Sequence, residues 1–100
     1  MKDFNVDKHL FWDVDFETMD LDRSSVYIIG RVFNYGSMND AKEIVKRYGV
    51  DRVKRDIVKN TDLKSNTMNF VSEVFNIPLK DFRAYIRRQE NPVQFPENIG

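Results

Sequence analysis

The chain has 100 residues, 41% of them hydrophobic, which fits one domain with its own core. It contains no cysteine, so disulfides, thiolate catalysis and thiolate metal ligands are excluded, and no stretch approaches the ~20 apolar residues of a membrane span. Acidic and basic residues balance at 16 each, but residues 1–22 hold seven acids and two lysines, residues 23–88 hold fourteen Lys/Arg and seven Asp/Glu, and residues 89–100 hold two acids.

This partition predicts an acidic aromatic arm over 1–23, a basic helical domain over 24–88 and an extended tail over 89–100. The acids either fold onto the basic body or face a different partner from it. The N-terminus has no apolar signal-peptide stretch, so a cytoplasmic location is expected.

Within the arm, Leu10, Phe11 and Trp12 precede acids at alternate positions. An extended strand here places Trp12, Val14 and Phe16 on one side and Asp13 and Asp15 on the other. The spacing of Asp13, Asp15 and Glu17 resembles the start of a calcium loop. The match fails because Thr18 stands where the turn needs glycine and Ser24 where a bidentate Glu is needed.

The body reads as five short helices. The first spans about Ser24–Tyr35, with Val26, Ile29, Val32 and Phe33 on one stripe, Ile28 widening it, and Asp22 or Ser24 as cap. Gly30 lies inside it, at a cost of about 1 kcal/mol relative to Ala, which points to a close approach or a tolerated loss. Gly36 is expected in the left-handed region after the helix. The second helix runs from Asn39 or Asp40 to Tyr48 with Ala41, Ile44, Val45 and Tyr48 inward, and Gly49 ends it in the same way. The third runs from Asp51 to Lys59 with Val53, Ile57 and Val58 inward and Arg52, Arg55 and Lys59 outward. The fourth covers Ser65–Phe75 on Met68, Val71 and Phe75, widened by Phe70 and Val74. The fifth starts at Pro78 and reaches Arg88, with Leu79, Phe82, Tyr85 and Ile86 inward. The fold class is therefore a compact all-α bundle.

Catalytic patterns are lacking. The four glycines, at 30, 36, 49 and 100, form no phosphate loop. The single histidine, His9, sits beside Lys8 in the polar arm and reads as solvated. No enzyme activity, cofactor or metal is expected. Two helix pairs, 40–59 and 66–88, have helix-turn-helix spacing, and the second carries Lys80, Arg83, Arg87 and Arg88 as candidate phosphate contacts. In one reading the apolar strip of the arm packs on the body and completes its core. In the other, Phe11 and Trp12 with Asp13 and Asp15 dock a partner protein, aromatic anchors inside an acidic rim, and both hold if the arm docks at the edge of a shared interface.

Phe11-Trp12-Asp13, Ile28-Ile29-Gly30-Arg31-Val32, Tyr48-Gly49, Thr67-Met68-Asn69-Phe70 and Ile77-Pro78 with Phe82 together resemble a family of small bacterial proteins of unknown biochemical function. The resemblance covers about residues 10–83. Such proteins are often encoded beside nucleotidyltransferase-like toxins of the abortive-infection type, so the resemblance implies an antitoxin-like role. It carries over no catalytic residues. Gly30 departs from the pattern, where a longer, often charged residue is usual. The expected function is a non-enzymatic partner-binding module. The alternatives are a helix-turn-helix-like DNA-binding regulator and a structural domain or homodimer.

Overall fold

The computed structural model describes residues 6–90. It is all-helical: α1 (Ser25–Tyr35), α2 (Met38–Tyr48), α3 (Val50–Ile57), α4 (Ser65–Phe75) and α5 (Arg83–Glu90), with short 3₁₀ turns at Lys8–Phe11, Phe16–Thr18 and Leu79–Asp81. The first three helices pack against one another. Ile28, Ile29, Val32, Ile44, Val53, Ile57, Leu63, Val71 and Phe82 are fully buried at the centre. Among the described residues, no helix is long and apolar enough to cross a membrane.

Two connections are set by a side-chain cap and by a glycine backbone. Ser37 accepts a hydrogen bond from the Asp40 amide while Asp40 accepts one from the Ser37 amide, a capping box that starts α2 at Met38. Gly36, which precedes it, is not left-handed. Among the described glycines only Gly49 has positive φ, at 88°, and this single residue joins α2 to α3. Ser24 stands at the α1 N-cap without a side-chain bond, and Asp22 reaches Arg52 instead, so neither expected cap operates.

Gly30 has a clear reason. A Cβ built there would lie 2.0 Å from Asn60 Nδ2. That amide donates to the Val26 carbonyl at 3.1 Å, and its oxygen accepts from the Asp62 amide at 2.7 Å. The close approach is thus by a side chain that ties the α3–α4 loop onto α1.

The fifth helix is shorter than its spacing predicts. Pro78 opens a 3₁₀ turn, Phe82 then adopts an extended backbone (φ −82°, ψ 127°), and α5 restarts at Arg83. Burial of the whole Phe82 ring drives the break, and the Arg83 amide donates to the Val58 carbonyl at 2.8 Å where the chain re-enters. Gln89 and Glu90 still belong to α5, and the rest of the expected tail, 91–100, lies outside the described residues, as do residues 1–5 of the arm.

Candidate functional site

The arm does not run as an alternating strip. Its two 3₁₀ turns fold Phe11 and Phe16 into the core, where their rings stack at 4.6 Å and Phe11 meets Tyr27 at 6.3 Å. Phe11 is 2% exposed. Trp12 and Val14 do not share its side: Trp12 is 80% exposed, and Val14 faces solvent as well. Short-range turns replace the two-residue period of a strand, so neighbours along the chain part ways. Phe11, expected among the partner contacts, is therefore a core residue.

The backbone around Trp12 is pinned from below. Arg31, the only charged residue of α1, donates from Nη1 to the Leu10 carbonyl at 3.0 Å. It holds Asp13 in a fork, Nη2 to Oδ2 at 2.9 Å and Nη1 to Oδ1 at 3.2 Å. Tyr27 donates its hydroxyl to Asp13 at 3.4 Å and lies under the guanidinium, 5.0 Å from the ring centroid. The Val14 amide closes the turn onto the Phe11 carbonyl at 3.1 Å. Arg31 beside Asp13 holds that carboxyl below the usual range. Asp13 is thus spoken for inside the chain, and Asp15 is the acid of the predicted pair that stays exposed without such a clamp. Asp7 accepts the His9 amide at 2.9 Å, which lowers its pKa, and His9 itself is solvent-facing as expected.

Arg31 is the residue sequence reasoning overlooked. Its signal was present: one cation in an otherwise uncharged helix must find an anion or water, and the acidic arm supplies the anion.

The candidate phosphate contacts fare differently. Lys80 lies on the 3₁₀ turn and Arg83 at the first position of α5, so Lys80, Arg83 and Arg87 do not form one helical stripe. Arg88 donates to the Leu63 carbonyl at 2.5 Å and to Ser65 Oγ at 3.4 Å, which ties α5 to the start of α4. The second helix pair is interrupted by that turn and is not a tight two-helix unit. In the first pair, Arg52 and Arg55 of α3 and Lys59 just beyond its end converge on buried Asp56. Arg52 Nε lies at 3.3 Å, Arg55 Nε at 3.2 Å and Lys59 Nζ at 3.9 Å, and Ser25 Oγ donates at 2.6 Å. Burial pushes the Asp56 pKa up, but the bonds from Ser25, Arg55 and Arg52 outweigh it and the net direction is down. Among the described residues, no group of three His, Asp or Glu is placed to hold a metal ion.

A family model for DUF6922, a family of unknown function, matches residues 6–57. The chain belongs to this family. The matched span runs from the arm through α3, so both halves of the Asp13–Arg31 clamp and of the Ser25–Asp56 bond fall inside it, while α4 and α5 lie beyond. No curated protein and no solved structure matches the chain.

Proposed function

We propose that this DUF6922 member is a non-enzymatic protein-interaction module whose anchor is Trp12. One observation carries the reading: the only tryptophan is 80% exposed on a backbone that Arg31 fixes on both sides. A large ring held in place loses little freedom on binding, and tryptophan is among the residues that dominate interface energies. Val14 widens the apolar edge, and exposed Asp15 supplies an acidic rim that suits a cationic partner surface. The resemblance to proteins encoded beside abortive-infection-type nucleotidyltransferase toxins makes such a toxin the partner of choice and the role antitoxin-like. A DNA-binding role on Lys80, Arg83, Arg87 and Arg88 draws less support, since Arg88 is tied to Leu63 and Lys80 lies off the helix that carries Arg83 and Arg87.

The test is co-expression of the tagged chain with the product of the adjacent gene. A stoichiometric complex is expected at moderate salt, and W12A should lose it while keeping the helical circular-dichroism spectrum of the parent. A complex that survives W12A, or no complex with the parent chain, contradicts the proposal.

A further inference from the structure

A second apolar surface has nothing packed over it among the described residues. Phe33, Met38, Ala41, Val45, Phe70, Val74 and Phe75 line a groove of about 290 Å³ between α1, α2 and α4, with Lys42 as its only charged lining. Phe33 and Phe75 meet edge-on at 6.2 Å inside it. Met38 is 58% and Val74 56% exposed, and Phe70 also faces solvent, although the spacing of α4 predicts Phe70 and Val74 for the core. Scattered exposed apolar residues need no explanation, but a contiguous apolar trough is a candidate binding surface.

The trough has a charged edge. Lys42 and Lys46 stand one turn apart on α2, and among the described residues neither makes an ion pair. Like charges at this spacing repel each other, so an anion laid along them is favoured. The α2 wall from Met38 to Val45 spans about 10 Å at the rise of an α-helix, the length over which a bound helix sets anchors at i, i+3, i+4 and i+7. We propose that this groove takes one helix of a partner protein, apolar on the face that enters between α2 and α4 and acidic on the flank that meets Lys42 and Lys46. The site is independent of Trp12.

The test uses two labelled synthetic helical peptides with the same leucine stripe, one with glutamates and one with lysines on the polar face, titrated against the full chain by fluorescence anisotropy. The glutamate peptide should bind at least about tenfold more tightly than the lysine peptide. K42E/K46E should reverse that order, and V74E, at an exposed position, should abolish binding of both without loss of helicity. W12A should leave the peptide affinities unchanged. Equal affinity of the parent chain for both peptides, no binding, or binding that V74E leaves intact would overturn the proposal. Binding seen only after deletion of residues 91–100, or a dimer that V74E dissociates in sedimentation, would assign the groove to this chain itself and overturn it too.

Discussion

Phe11 turns its ring under α1 while Trp12, the next residue, keeps 80% of its surface in solvent, so truncating the two should have opposite consequences. F11A removes a fully packed ring and is expected to cost about 3–5 kcal/mol in urea unfolding. W12A touches nothing that holds the fold and should stay within about 0.5 kcal/mol of the parent. Gly30 offers a sharper test. Alanine is the better helix former by about 1 kcal/mol, yet its Cβ would displace the Asn60 amide, and each lost hydrogen bond costs about 1 kcal/mol. G30A should therefore destabilise the parent chain but stabilise an N60A background. A double-mutant cycle showing the same sign in both backgrounds would remove Asn60 as the reason for the glycine.

At the scale of elements, α1 is joined to α3 through Ser25 and Asp56, and the arm to α2 through the Tyr48 hydroxyl, which donates to the Leu21 carbonyl at 2.7 Å. The folded-state pKa of Asp56 lies below its ordinary value, so its stabilising effect is complete above about pH 4 and is lost as pH falls through the folded value. D56N should cost about 1.5–3 kcal/mol at neutral pH, because Ser25 and the partly exposed Arg52, Arg55 and Lys59 lose a charged acceptor, and should flatten the acid limb of the stability profile. Tyr48 runs the other way. Burial pushes its phenol up to about 12, so the bond to Leu21 is kept below about pH 10 and lost as pH rises toward 12. Burial raises Tyr27 as well, so an ultraviolet pH titration should show two late-ionising tyrosines, of which Y48F removes the later. Helix existence was legible because apolar spacing alone sets it, and α4 is bounded as its spacing predicts. The break before α5 was not, because it follows from where the Phe82 ring is buried, a property of the assembled core rather than of the local sequence. The same holds for the arm, whose alternation was real but was overridden by the pull of two phenylalanines into one core.

Across the whole molecule, the charge partition of the sequence has two uses. Asp13–Arg31 and Asp22–Arg52 join acidic arm to basic body, so part of the arm's charge is neutralised within the chain. That pairing is also what presents Trp12: the arm had to be part of the fold for its tryptophan to stand out from it. The sequence made Trp12 a candidate by its surroundings, but whether it closed the core or faced outward depended on Arg31, 19 positions away. The most direct measurement is acrylamide quenching of the single tryptophan, in the free chain and with the adjacent gene's product added. Expected is quenching of the free folded chain close to that of the urea-unfolded chain, and strong protection in the complex. A tryptophan already shielded in the free folded chain, or one left equally accessible in the complex, would contradict its role as the docking anchor.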